Sequence, residues 1–293
     1  MKRKRIVVSI LALLIILVTG FLIAGSVLTA PVNRSIGDPP TDIPARLVQF
    51  PSRSGATIHG WFIPGKKDAG AVILMHGVRS NRLSMLDRAR FLSRAGFTVL
   101  LFDFQAHGES PGEHITFGYL ESRDAQAAVE FLRVNAPGER IGVIGASMGG
   151  AATLLAAPPL EVDAMVLEMV YPTIDEAVRN RLQRFGSWAG VFTPLLTSQL
   201  KPRLGISPDA LRPIDKVGSI TIPKLFIVGA DDRHTTLEES KRIFAAAAAP
   251  KEMWIVAGAG HIDLHAKNKE EYEQRILEFF KKSLSQTYVV RYN

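Results

Sequence analysis

Three regimes of hydrophobic patterning follow one another along the chain. Ile6 to Leu28 is a run of 23 residues without a charge, broken only by Ser9, Thr19, Gly20, Gly25 and Ser26. It lacks the polar stripe that a soluble helix keeps toward water, and at about 1.5 Å per residue it spans a hydrocarbon core of roughly 30 Å. A cleavable signal peptide is the rival reading, but its apolar region is normally about 7–15 residues long and ends in a small-x-small site. Here the run is longer and Ala30 is followed by Pro31. The expectation is therefore an uncleaved, single-pass transmembrane anchor at 6–28. The basic tip 1–5 predicts a cytoplasmic N-terminus and places everything after residue 30 on the outer side.

The second regime, a linker at 31–45, holds Pro31, Pro39, Pro40 and Pro44 without a hydrophobic period and reads as an extended spacer. In the third, 46–284, strand-like and helix-like stretches alternate. Strands are expected at Arg46–Phe50, Ala56–Ile63, Ala71–Met75, Phe97–Phe102, Ile141–Ile144, Val162–Glu168, Lys224–Val228 and Met253–Val256. Helices are expected near Leu83–Ala95, Glu121–Val134, within Thr236–Ala249 and from Lys269 to Leu284. Short runs that are apolar throughout, such as Ala71–Met75, suit strands buried on both faces, so the fold class is α/β, a mostly parallel sheet flanked by helices. Between about 171 and 220 the alternation breaks into a segment rich in Arg, Leu, Phe and Pro, too long for a plain loop and read as an inserted cap. A C-terminal tail, 285–293, closes the chain.

Composition narrows the function classes. With 293 residues, 47% hydrophobic and 22% charged, the chain has an ordinary globular balance. Lys2, Arg3, Lys4 and Arg5 supply four of the +7 formal charges, and the +3 that remains gives no reason to expect a nucleic-acid partner. The absence of cysteine rules out disulfides, thiolate metal sites and a cysteine nucleophile.

The candidate chemistry centres on Gly145-Ala146-Ser147-Met148-Gly149-Gly150, which follows the strand Ile141–Ile144 and opens a helix-prone stretch. A serine on such a sharp strand-to-helix turn can lift its hydroxyl out of the sheet if its flanks have almost no side chain, a demand that Gly145 and Gly149 meet. Upstream, His76-Gly77-Val78 follows the strand Ala71–Met75, at the end of a sheet strand where parallel folds place their sites. The backbone amides of Val78 and Met148 would together receive the negative oxygen of a tetrahedral intermediate, with His76 and Gly77 shaping the turn. Downstream, Asp231 and Asp232 follow a strand and a glycine, and His261 follows Ala257-Gly258-Ala259-Gly260. A carboxylate at that strand end would orient the imidazole, and the imidazole would serve first as base and then as acid.

Seven histidines compete for the base role. His59 and His114 fit structural or surface roles, His76 and His107 precede the serine and fit loop shaping, and His234 lies beside the acid. His265, four residues past His261, is the close rival. Asp231, Asp232, His234, His261, Asp263 and His265 are also metal-ligating types. Yet no His-Glu-x-x-His signature, phosphate loop or dinucleotide fingerprint occurs, so neither a metal nor a cofactor is expected.

These residues resemble the α/β-hydrolase superfamily from about Leu47 to the last helix. The loop Asp103-Phe104-Gln105-Ala106-His107-Gly108-Glu109-Ser110 is similar to the Asp-aromatic-Arg-Gly-His-Gly-x-Ser loop of its serine aminopeptidase-like and monoglyceride lipase-like branches, with Gln105 and Ala106 in place of Arg-Gly. Gly229-x-x-Asp232 matches the family's acid motif and makes Asp232 the preferred acid, although Thr235 and Thr236 stand where a proline often follows. His261 aligns with the C-terminal histidine, in the order serine, aspartate, histidine. The resemblance implies catalysis by Ser147, Asp232 and His261 through an acyl-enzyme. The expected function is a membrane-anchored serine hydrolase of carboxylic esters, with a serine aminopeptidase or amidase acting on short peptides as the alternative. The expected partners are a small acyl ester or short peptide as substrate, and the membrane.

Overall fold

The computed structural model describes residues 2–284, so the expected tail 285–293 lies outside the described residues. The alternating runs form one eight-stranded sheet. Its strands are β1 (Arg46–Pro51), β2 (Thr57–Ile63), β3 (Ala71–Met75), β4 (Thr98–Phe102), β5 (Ile141–Ala146), β6 (Ala164–Glu168), β7 (Lys224–Gly229) and β8 (Lys251–Val256). Their spatial order is β8-β7-β6-β5-β3-β4-β2-β1. β1 and β2 pair antiparallel, as do β2 and β4, and every other pairing is parallel. Parallel neighbours need crossovers, which supply the helices α2 (Leu86–Arg94), α3 (Glu121–Asn135), α4 (Met148–Leu155) and α8 (Leu237–Ala246), while α9 (Leu264–Lys267) and α10 (Lys269–Leu284) follow the last strand.

The all-apolar strands are buried on both faces because each face has its own helical layer. Ile73, Leu100, Val143 and Phe226 point into a core shared with α3, α4 and α8. Their alternates Val72, Leu101, Ile144 and Ile227 point into a second core with α2 and α10. The period of two along each strand thus divides the apolar side chains between two cores. The segment that breaks the alternation folds between β6 and β7 as short helices, α5 (Ile174–Leu182), α6 (Thr193–Thr197) and α7 (Leu200–Leu204), joined by 3₁₀ turns.

Two features differ from the expectation. The N-terminal helix α1 runs from Lys2 to Thr29 and so includes the basic tip. The linker is not a free spacer. Val32–Asn33 pairs in parallel with His107–Gly108, Ile43 is buried, and Glu109 Oε1 accepts the amides of Ile36 and Gly37, both at 2.9 Å. Prolines in the linker prevent a regular strand or helix, yet leave neighbouring amides able to bond the 103–110 loop.

Candidate active site

Ser147 sits alone between the end of β5 and the start of α4, with φ 51° and ψ −110°. A non-glycine residue in this region carries strain on the order of 1–3 kcal/mol and persists only where its surroundings enforce it. The enforcement is visible on both sides. The Ser147 amide donates to the Glu168 carbonyl at 2.8 Å, and the Ser147 carbonyl accepts the Ala151 amide at 3.0 Å. The turn is also wedged: a Cβ on Gly145 would fall 2.6 Å from the Gly150 nitrogen, and one on Gly149 would fall 2.4 Å from the Met75 carbonyl oxygen. Both obstacles are backbone and cannot swing aside.

The structure brings His261 and Asp232 to this serine. His261 Nε2 lies 3.2 Å from Ser147 Oγ, and its Nδ1 lies 2.7 Å from Asp232 Oδ2. A carboxylate only accepts, so Nδ1 carries the hydrogen and Nε2 is left to accept from the serine hydroxyl. Asp232 is buried and fixed through its other oxygen, Oδ1, which accepts the amides of His234 at 2.7 Å and Thr235 at 3.0 Å. Asp231 is exposed and contributes backbone only, its amide donating to the Ala259 carbonyl at 2.9 Å.

Beside the serine, at the end of β3, is the 76–79 turn. His76 is fully buried; its Nδ1–H donates to the Gly77 carbonyl at 2.7 Å and its Nε2 accepts the Phe104 amide at 3.1 Å. Burial, with nearby His107 adding to it, pushes its pKa down to about 3, so the ring is neutral. In a trans peptide the carbonyl and the following N–H point opposite ways. Pinning the Gly77 carbonyl therefore fixes the Val78 N–H in the opposite direction within the same peptide plane. Neither the Val78 nor the Met148 N–H finds a protein acceptor among the described residues. Gly77 itself is not sterically compelled, since a Cβ there would lie 3.7 Å from Ser147 Cβ. His107 repeats the device one step along, donating from Nδ1 to the Gln105 carbonyl at 2.9 Å and accepting the Arg79 amide at Nε2, 3.1 Å.

Residues 66–212, about half of the chain, match the family described as serine aminopeptidase, S33. The chain belongs to this family of α/β-hydrolases. Among solved structures it is similar to the Pyrococcus furiosus esterase Pf2001, with a TM-score of 0.72 and 26% identity over 87% of this chain and 99% of that one. Among curated relatives it is 28% identical to the uncharacterised Bacillus subtilis protein YqkD over 78% of this chain and 77% of that protein. It is 26% identical to the uncharacterised YfhR of Salmonella typhimurium over 96% of this chain and 97% of that one. The Arabidopsis thaliana α/β-hydrolase domain-containing protein WAV2 is 28% identical over 82% of this chain.

The other histidines of the hydrolase lie off the Ser147–His261 line. His265 stacks on Phe91 at 5.5 Å between ring centres and bonds Glu273 Oε1 through Nε2 at 3.0 Å, which separates it from Ser147. His234 packs 5.1 Å from the His261 ring, with its own pKa lowered by burial and then by Arg181. His59 meets Gln49, and His114 is exposed. Among the described residues no group of three or more His, Asp or Glu side chains is arranged to hold a metal ion.

Sequence reasoning missed a buried charge cluster beneath the site. Arg88 reaches Glu168 at the end of β6 through Nε (3.1 Å) and Nη2 (2.8 Å), and reaches Asp263 at 2.8 Å. The Tyr272 hydroxyl bonds the same Glu168 carboxylate. Glu168 supplies the carbonyl that holds the Ser147 amide, and Asp263 lies two residues beyond His261. One guanidinium therefore ties together the supports of both. The four residues are scattered from 88 to 272 and share no local period, so no window of sequence signals them.

Proposed function

We propose that this α/β-hydrolase is a membrane-anchored serine hydrolase that cleaves carboxylic esters through an acyl-enzyme, with Ser147 as nucleophile, His261 as base and acid, and Asp232 as the group that orients it. The observation that carries the reading is the unbroken line Asp232–His261–Ser147, at 2.7 and 3.2 Å, ending on a strained serine. Ser147 Oγ attacks the ester carbonyl carbon while His261 Nε2 takes its proton. The carbonyl oxygen becomes an oxyanion in front of the Val78 and Met148 amides, which are preorganised and carry no competing acceptor. Collapse breaks the bond to the alcohol oxygen, and the proton on His261 goes to the leaving alkoxide. Water, deprotonated by His261, then attacks the acyl carbon and releases the acid. Asp232 stabilises the imidazolium in both halves.

The family name supports a second reading, an aminopeptidase. An α-ammonium group calls for a carboxylate, however, and the cap, about 171–220, is net basic, with seven Lys and Arg against four Asp and Glu that all lie near its two ends. This composition favours esters, as does the likeness to an archaeal esterase. The test is side-by-side turnover of an aryl acetate and an aminoacyl arylamide. The expected result is a kcat/KM for the ester at least about 100-fold above that for the amide; the reverse order overturns ester specificity.

Membrane anchoring is supported by α1, long and apolar enough to cross a bilayer. The contacts of its last third with the domain favour a retained helix over a detachable leader. Arg79 Nη1 donates to the Val27 carbonyl at 2.9 Å, the Ile115 amide to the Thr29 carbonyl at 2.8 Å, and Arg203 Nη2 to the Leu22 carbonyl at 2.7 Å. Removal by a signal peptidase would strip these contacts. The basic tip favours a cytoplasmic N-terminus and an extracytoplasmic catalytic domain.

A further inference from the structure

The cap carries two apolar faces, of which the fold uses one. Ala189, Leu196 and Leu200 are buried against the rest of the molecule. On the other side Phe185, Trp188 and Val191 are exposed to 74%, 67% and 73%, a concentration of large apolar groups that a water-facing surface does not explain. This patch continues without a break into α1. Trp188 meets Phe192 edge to face at 6.0 Å, and Phe192 meets Phe21 of α1 at 5.4 Å.

The junction is built for close approach. A Cβ on Gly25 would fall 2.3 Å from Gln199 Oε1, so a larger residue there would displace the end of the side chain that bonds α1. Gln199 Nε2 donates to the Phe21 carbonyl at 3.0 Å, and Arg203 bonds both the Leu22 carbonyl and Ser26 Oγ at 2.7 Å. Contact thus begins eight residues before the end of the helix, about 12 Å along its axis. A helix whose apolar run fills the bilayer then holds the cap at the depth of the headgroup and acyl boundary, where Trp and Phe are favoured. Charge agrees with that position. Arg184 and Lys201 are exposed and form no ion pair among the described residues, and no acid occurs from 177 to 208 to repel an anionic headgroup.

We propose that the exposed face of the cap is seated in the interface of an anionic bilayer, with α1 as its fixed post, and that the hydrolase takes an acyl ester resident in that bilayer. The proposal rests on the membrane-anchored ester hydrolase reading above. The seating also reaches the chemistry, because Arg79, which caps the end of α1, has its amide held by His107 directly after the Val78 amide.

The test uses the full chain reconstituted into vesicles of phosphatidylglycerol and phosphatidylcholine with bromine on the acyl chains. Trp61 and Trp254 are buried, so the difference from Trp188→Phe isolates the Trp188 signal. The expected result is at least a twofold loss of that signal, roughly what a ring at the acyl boundary gives; an unquenched Trp188 overturns the proposal, and equal quenching in phosphatidylcholine alone overturns its anionic part. A second variant, Phe185→Ser/Trp188→Ser/Val191→Ser, is expected to keep turnover of a water-soluble acetate ester within about twofold and to lower turnover of a long-chain ester dispersed in the vesicles about tenfold. Equal loss on both esters overturns the claim that the cap face serves bilayer substrates. Wild type that hydrolyses neither ester overturns the hydrolase reading itself, while Trp188 quenching still decides the seating of the cap.

Discussion

His261 and His265 lie four residues apart and have opposite surroundings. His261 faces Ser147 and Asp232, whereas His265 is stacked on Phe91 and bonded to Glu273. Under the proposed mechanism His261→Ala lowers kcat by about 10⁴-fold or more, since a nucleophile without its base retains little beyond binding and oxyanion stabilisation. His265→Ala leaves kcat within a few fold, and steady-state kinetics on an aryl ester separates the two. His76 gives a prediction of a different kind. Its folded pKa of about 3 lies below the ordinary histidine value of 6.5, so below pH 6.5 the unfolded chain takes up a proton that the folded chain refuses. Stability from this group is complete above pH 6.5 and falls as pH drops toward 3. Buried Asp124, raised to about 7, works in the opposite direction, so the wild-type curve alone blends the two. The difference between wild type and His76→Gln isolates the histidine. From pH 7 to pH 5 denaturant unfolding is expected to show wild type losing about 2 kcal/mol relative to that variant.

At the scale of elements, the serine turn depends on how closely α4 approaches β3 and β5. Gly149→Ala drives a methyl group into the Met75 carbonyl, a contact that neither backbone can yield. The expected result is a loss of about 3 kcal/mol or more in urea unfolding, together with loss of turnover; a stability unchanged within error would show that the turn has slack. This geometry is also why so much was legible in sequence. β3 and β4 read as strands because each is a five-residue run buried on both sides, and the serine turn announced itself through glycines that sterics require. Asp232 was preferred over Asp231 by resemblance, and burial now distinguishes the two physically. What the sequence hid is long-range. The linker's pairing with His107–Gly108, the approach of Gly25 to Gln199 and the Arg88–Glu168–Tyr272–Asp263 cluster each join residues from separate parts of the chain, with no period or spacing to betray them.

For the whole molecule, the chain is an α/β-hydrolase whose N-terminal helix is wired into the same surface that carries the candidate site. The path runs from α1 through Arg79 and the linker to the 103–110 loop, where Asp103 and Glu109 both hold buried Arg82. Helix α1, loop and candidate site thus share one scaffold, with the Arg88 cluster bracing the supports of Ser147 and His261 from below. The chemistry proposed for that scaffold depends on Ser147 acting as a nucleophile. The most direct measurement is mass spectrometry of the full-length protein after reaction with a fluorophosphonate, which phosphonylates an activated serine oxygen with loss of fluoride. The expected result is one adduct, mapping to the peptide that carries Ser147 and absent from Ser147→Ala; an unmodified wild type, or an adduct that persists in Ser147→Ala, would contradict it.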